Sequence, residues 1–165
     1  MKILNSQIIK IKKGKNLKII KPVNIYECEF GNDCFVGPFT EIQKKVKIGN
    51  NTKIQSHSFI CELVEIGNNC FVGHGVMFIN DKFKDGKPAF GNKKKWLKTV
   101  IKSNVFIGSN STILPVSICS NVVIGAGSVV TKNITKPGKY AGNPAKKIKK
   151  IYIFFSFKTL SNIFK

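Results

Sequence analysis

"FGNDCFVGPFTEIQKKVKIGNNTKIQSHSFICELVEIGNNCFVGHGVMF", residues 30–78, repeats with a period of six. Stepping by six from Phe30 gives Val36, Ile42, Ile48, Ile54, Ile60, Ile66, Val72 and Phe78, every one apolar. The ladder then breaks and resumes at Ile101, Ile107 and Ile113. After "ILPVSI" it continues one residue out of phase, at Ile118, Ile124 and Val130. The position two before each rung is small or β-branched: Cys28, Cys34, Thr40, Val46, Thr52, Ser58, Val64, Cys70 and Val76 in the first run. Thr99, Val105, Ser111, Val116, Val122 and Ser128 follow in the later one. Gly often follows the rung, as at Gly31, Gly37, Gly49, Gly67, Gly73, Gly108 and Gly125, with Asn or Asp commonly next.

A period of six fits neither the 3.6 of a helix nor a plain amphipathic strand. It fits a short strand plus a corner. The rung and the residue two before it share the inward face, because strand side chains alternate. Gly and Asn tolerate the positive φ of tight corners. Three sides close a coil of about eighteen residues, and coils stack about 4.8 Å apart through parallel hydrogen bonds. The expected fold is all-β, a parallel β-helix of hexapeptide repeats.

The chain has 165 residues, enough for one domain with a continuous core. We divide it into a β-helix domain over 1–150 and a C-terminal extension over 151–165. No window reaches 18 uncharged apolar residues, and "MKILNSQIIKIKKGKN" lacks a signal-peptide core, so the expected location is cytoplasmic. Net charge is +20 and every basic residue is Lys. Such a field attracts polyanions. Without Arg, the usual reader of base edges, the expected polyanion is a small phosphorylated molecule and not nucleic acid. Five Cys form no CxxC pair and two His cannot build a three-His site, so no metal is expected. Cys28, Cys34 and Cys70 fall on the small inward position; Cys61 and Cys119 follow rungs.

The largest break is "INDKFKDGKPAFGNKKKWLK", 79–98, and a second is "ITKPGKYAGNPAKKIKK", 134–150. A long insertion in a compact solenoid usually carries function.

The pattern over 28–148 resembles the hexapeptide-repeat acyltransferases, whose fold is a left-handed parallel β-helix. The handedness comes from that resemblance; general rules for parallel crossovers point the other way. "VFIGSNSTILP" and "VVIGAGSVVTKNI…YAGNPAKKI" are similar to the segments that bind coenzyme A in acetyltransferases of this fold. The resemblance implies acetyl-CoA as cosubstrate. Its pantetheine arm would run outside the coils beside Gly108, Ser109 and Ala126, and its adenine end near Tyr140, Gly142, Asn143, Lys146 and Lys147. Residues 54–81 with Trp96 and Thr99 look closest to N-acetyltransferases acting on dTDP-linked 3-amino-3,6-dideoxyhexoses. A sister group acting on UDP-linked 3-amino-uronic acids has a similar Asn at the position of Asn80 but differs at "HSFICE". Both serve surface glycans. Such enzymes are homotrimers with active sites between subunits.

The chemistry is amine attack on a thioester. A partly neutral amine needs positioning more than a strong base, and the developing oxyanion needs an N–H donor, which we place at the amides near Gly108 and Ser109. Asn80 and Asp81 are the expected orienting residues. His57, Glu62, Phe83 and Trp96 are assigned to the acceptor, with Phe90 as a further ring for a base. For His74 three readings stay open: a corner group, a contact to substrate or Asp81, or a general base. An alcohol acceptor would need such a base. The break after the central coils, where related O-acetyltransferases carry a His, begins "FIND", and the chain has no His from 75 onward. O-acetylation of a sugar or amino acid is the alternative, and a non-catalytic basic scaffold the third reading. In the tail, Ile153, Phe157, Leu160 and Phe164 share one helical face; end-capping is the expectation and membrane contact the lesser one.

Overall fold

In the computed structural model, residues 8–148 are described. They form a left-handed parallel β-helix with three sheets of seven, six and eight short strands. The first sheet stacks Ile8–Ile9, Asn24–Tyr26, Glu41–Ile42, Phe59–Ile60, Met77–Phe78, Thr112–Ile113 and Val129–Val130. The second runs from Lys12–Lys13 to Ser117–Ile118. The third runs from Lys18–Ile19 to Gly138–Ala141 and is closed by Lys146–Lys147. Pairing is parallel throughout except in that final hairpin, where Tyr140 faces Lys147. Rungs stack on rungs: Val36 on Ile54, Ile54 on Val72, Val72 on Ile107, Ile107 on Ile124.

Every rung and every residue two before it is buried. Inward Ser and Thr are tolerated because their hydroxyls reach corner carbonyls one coil away, as in Thr52 to Gly67 (2.8 Å) and Ser58 to Gly73 (3.0 Å). Cys34 and Cys70 use the same geometry, their thiols donating to the carbonyls of Gly49 (3.1 Å) and Lys102 (3.2 Å). No buried side-chain N or O among the described residues lacks a partner. All five Cys are free, and burial pushes the Cys28 and Cys61 thiols up to about 12.

Within the domain assigned to 1–150, coils precede the first rung legible in the sequence: a five-residue step from Ile25 to Phe30 conceals an earlier rung, and a lysine-rich first coil precedes it. One expectation is corrected: the glycines after the rungs are not the left-handed corner residues. Positive φ falls three residues after a rung, at Asp33, Phe39, Asn51, His57, Asn69, Asn104, Asn110 and Asn121 among others. The rung-following glycines are required because coils approach too closely there. A Cβ on Gly73 would lie 2.6 Å from the Ser109 nitrogen.

The break at 79–98 leaves the first sheet at Phe78 and re-enters the second at Thr99, which pairs with Val64. It contains one 3-10 turn, Lys93–Lys95, with the Asn92 side chain accepting from the Lys94 N–H (3.2 Å). The C-terminal extension, with its end-capping and membrane expectations, lies outside the described residues. Among those described, no helix is long and apolar enough to cross a membrane.

Candidate functional site

The three edges of the prism differ chemically. Between the second and third sheets, asparagines form two ladders. One runs Asn51–Asn69–Asn104–Asn121 through side-chain amides at 3.1–3.3 Å. The other lends its oxygens to backbone N–H groups: Asn50 to Asn32 and Asn68 to Asn50, each 2.8 Å, with the Ser103 hydroxyl serving Asn68 (3.1 Å). That edge is sealed.

The edge between the third and first sheets is open. The residues equivalent to the second ladder are Pro38, Ser56, His74, Ser109 and Ala126, none of which carries an asparagine amide; the Ser56 hydroxyl meets the His74 ring. The N–H groups of Ser56, His74, Ser109 and Ala126 accordingly have no partner among the described residues. The column is held instead by its carbonyls: Ser56 accepts from Gly75 (3.0 Å), His74 from Asn110 (2.8 Å) and Ser109 from Gly127 (2.8 Å). The amide of Gly108 is spent on the Ile124 carbonyl (2.8 Å). On that coil the N–H without a partner among the described residues is therefore that of Ser109.

His74 is exposed on this edge, and its Nδ1 lies 2.8 Å from the Ser56 hydroxyl. Its Nε2 has no partner among the described residues. The ring is therefore oriented by one nitrogen and available at the other. His57 sits one coil below and one residue along, exposed, with its ring stacked on Phe39 at 4.9 Å. Phe39 was not singled out from the sequence, because only the stacking of coils brings it to His57.

The third edge, between the first and second sheets, carries the insertion. Glu62 is buried (6% exposed), and its carboxylate receives Lys93 Nζ at 3.0 and 3.2 Å, with Lys44 Nζ 3.9 Å away. That hydrogen bond holds Lys93 charged to higher pH than an ordinary lysine. Lys93 also lies 5.2 Å from the centre of the half-buried Trp96 ring, a cation–π contact. Burial, reinforced by Glu41 and Glu62, raises the Tyr26 phenol nearby. Asn80 donates its side-chain amide to the Glu62 carbonyl (3.3 Å), and its own carbonyl accepts from Leu97 (2.8 Å), closing the base of the loop. Asp81 accepts from the N–H groups of Phe83 (3.0 Å) and Ala89 (2.7 Å). Its carboxylate shapes the loop from within. Phe83 and Phe90 are exposed on the insertion, 55% and 83%.

The structure thus gathers the expected site residues into three groups. His57, His74, Gly108, Ser109 and Ala126 share the open edge. Glu62, Asn80, Asp81, Phe83 and Trp96 belong to the loop edge, at the other end of the strand Met77–Phe78. Six residues separate His74 from Asn80, roughly 20 Å at full extension. Tyr140, Gly142, Asn143, Lys146 and Lys147 lie on the terminal turn. There Tyr140 packs on the core and its hydroxyl donates to the Lys136 carbonyl (2.9 Å), while Lys146 and Lys147 are exposed. No group of three or more His, Cys, Asp or Glu able to hold a metal occurs among the described residues.

Comparison with known proteins agrees with this architecture. The bacterial transferase hexapeptide (six repeats) family matches residues 27–62, and the hexapeptide repeat of succinyl-transferase matches 98–132. The bifunctional protein GlmU of Wigglesworthia glossinidia brevipalpis is 36% identical over 159 residues, covering 84% of this chain but 32% of that protein. The chain therefore spans about a third of the length of that relative. A point mutant of AntD, an N-acyltransferase from Bacillus cereus in complex with dTDP and coenzyme A, superposes with a TM-score of 0.69. It is 27% identical and covers 82% of this chain and 84% of its own. A hexapeptide-repeat acetyltransferase from Vibrio cholerae O1 biovar eltor, complexed with acetyl coenzyme A, has a TM-score of 0.63 and 21% identity. It covers 74% of this chain and 70% of its own, a likeness of fold.

Proposed function

We propose that the chain, which carries hexapeptide-repeat matches over residues 27–62 and 98–132, is a hexapeptide-repeat transferase, an acetyl-CoA-dependent N-acetyltransferase for a nucleotide-linked amino sugar. The acceptor nitrogen is the 3-amino group of a dTDP-linked 3-amino-3,6-dideoxyhexose, with the UDP-linked 3-amino-uronic acid as the neighbouring possibility. The observation that carries this reading is the open edge, where the N–H groups of Ser56, His74, Ser109 and Ala126, stacked in one column over successive coils, have no partner among the described residues. The amide-bearing pantetheine arm of coenzyme A suits the upper part of that column, at Ser109 and Ala126. The resemblance to AntD, which binds dTDP and coenzyme A, supports the substrate class. The exposed Lys146 and Lys147 and the net charge of +20 suit a polyphosphate.

The mechanism follows from what each edge offers. The neutral amine attacks the thioester carbon, and the leaving thiolate takes the released proton. In this reading the Ser109 N–H, which has no partner among the described residues, donates to the oxyanion. Anchored through its amino group on the Glu62 carbonyl, Asn80 turns its Oδ1 away as an acceptor for an amine N–H. Asp81 acts through the loop, since its oxygens are committed to Phe83 and Ala89. Glu62 and Trp96 hold the insertion through Lys93. Because the open edge and the loop edge of one chain lie at opposite ends of a strand, a complete site takes the edge of one copy and the loop of the next, which suits a homotrimer. The cytoplasm, where acetyl-CoA is made, suits this reaction, and surface glycan synthesis suits its product.

One observation favours a second reading. His74, fixed by Ser56 at 2.8 Å with Nε2 free, has the arrangement that an alcohol acceptor requires of a general base. A mass-spectrometric screen of dTDP- and UDP-linked amino sugars with acetyl-CoA separates the two. Acetylation of hydroxyl acceptors, with failure on every 3-amino sugar nucleotide, would refute the N-acetyltransferase.

A further inference from the structure

The left-handed position of the open edge stacks Phe39, His57, Gly75, Asn110 and Gly127 in one column, three residues after successive rungs. In the upper coils it holds residues for which positive φ costs little, Gly or Asn. In the two lower coils it holds aromatics, Phe39 at φ 58° and His57 at φ 61°. On the sealed edge the same position is Asn or Asp in every coil, Asn16 through Asn121. A bulky ring in this conformation is strained. Phe39 is also 59% exposed, so the strain is not offset by burial in the core. Its ring lies 4.9 Å from His57, the planes 30° apart, and it borders a depression of about 340 Å³ lined by Pro22, Val23, Asn24, Thr40 and Glu41.

We propose that the Phe39–His57 step is a stacking platform for a planar nucleotide base, the base of the acceptor. This rests on the reading of the protein as a nucleotide-sugar acetyltransferase. The geometry fits. With coils about 4.8 Å apart, Phe39 lies about 14 Å below Asn110 on the same edge. The thioester arrives along the upper coils, at Ser109 and Ala126, and the amine is met at the level of His74. The rest of the acceptor then runs down the edge, and its base reaches the two lower coils. Ser56 ties the steps together: its hydroxyl holds His74, and its chain neighbour is His57. Phe83 and Phe90, the rings first assigned to a base, make no ring contact among the described residues.

The adenine of coenzyme A is also a planar base, so the test must separate the two sources. Binding of dTDP, UDP, coenzyme A and inorganic pyrophosphate would be measured by titration calorimetry on the full chain and on Phe39→Asn. Asn suits the left-handed backbone, so this variant removes the ring without adding strain. Stacking on one aromatic corresponds to about a five- to hundredfold change in affinity. The expected result is a loss of that size for dTDP and UDP, with coenzyme A changed less than about twofold. Phe39→Trp should keep nucleotide affinity. Equal dTDP binding by wild type and Phe39→Asn would overturn the platform, as would a loss confined to coenzyme A. So would pyrophosphate binding as tightly as dTDP, or a change in assembly mass, which would make Phe39 a subunit contact. Turnover of amino sugars distinguishes the two claims. If acetylation proceeds with unchanged acceptor KM in Phe39→Asn, the platform fails and the function stands; if dTDP binding depends on Phe39 without turnover, the reverse holds.

Discussion

Replacing Asp81 by Asn separates a residue that shapes the loop from one that handles substrate. In the wild type one carboxylate oxygen accepts from Ala89 at 2.7 Å and the other from Phe83 at 3.0 Å. Asn keeps the shape but has a single acceptor oxygen, so one of the two N–H groups faces an amino group. A hydrogen bond to a charged group is worth about 1.5–3 kcal/mol. Asp81 is half-exposed, and solvent screening brings the loss to about 1–2 kcal/mol. At about 1.4 kcal/mol per decade, opening of the insertion becomes about five- to thirtyfold more frequent. Hydrogen–deuterium exchange resolved by peptide reads this directly. Amides of Phe83 and Ala89 should exchange faster by that factor, while those paired between coils, such as Gln55 and Met77, keep their protection. Acceptor KM should rise with loop opening and acetyl-CoA KM stay unchanged. Unchanged exchange over 81–97 together with a collapse of kcat would refute the reasoning and place the carboxylate on the substrate. Equal acceleration in the coils would refute it differently, making Asp81 a support of the whole fold.

Other outcomes follow from the same structure. Glu62→Gln removes the charge under Lys93 Nζ and should raise exchange around Lys93–Lys95 with little change in Tm. The raised Lys93 pKa gives this latch a sign: its contribution is full below the ordinary lysine value and disappears as pH climbs through the raised one, so exchange in wild type should accelerate only in strong alkali. Gly73→Ala drives a methyl into the Ser109 nitrogen, and thermal unfolding should show a loss of about 1–3 kcal/mol, typical of overpacking. His74→Asn should lower the rate by less than about a hundredfold under direct attack; a drop of about a thousandfold, within the span of a general base, would favour the alcohol-type mechanism. Native alkylation followed by mass spectrometry should label the half-buried Cys119 before the other four cysteines, which are buried.

The rungs could be read directly because burial imposes a period, and Ile54 and Val72 are fully buried where the ladder puts them. The first coil was hidden by one short corner, which moves Ile25 out of phase with Phe30, and by the lysines that fill its strands. Gly73 was legible as a corner but not for its reason, which lies in a backbone atom of Ser109, thirty-six residues on in the chain. The Glu62–Lys93 pair is likewise separated by 31 residues and an insertion of irregular path, so no spacing rule could join them. Asn80 and Asp81 were found because the lattice stops there. What each side chain does depends on the loop folding back, which brings Ala89 and Leu97 to them. Phe39 looked like ordinary composition until its column was assembled.

Acetyl transfer to a nucleotide-linked amino sugar tests the central claim most directly. The purified full chain would be incubated with acetyl-CoA and a dTDP-linked 3-amino-3,6-dideoxyhexose, and the product analysed by tandem mass spectrometry. The account predicts one acetyl group, attached to the sugar nitrogen, with stoichiometric release of coenzyme A. An acetyl ester on a hydroxyl, or no transfer to any amino sugar nucleotide while acetyl-CoA binds, would contradict it.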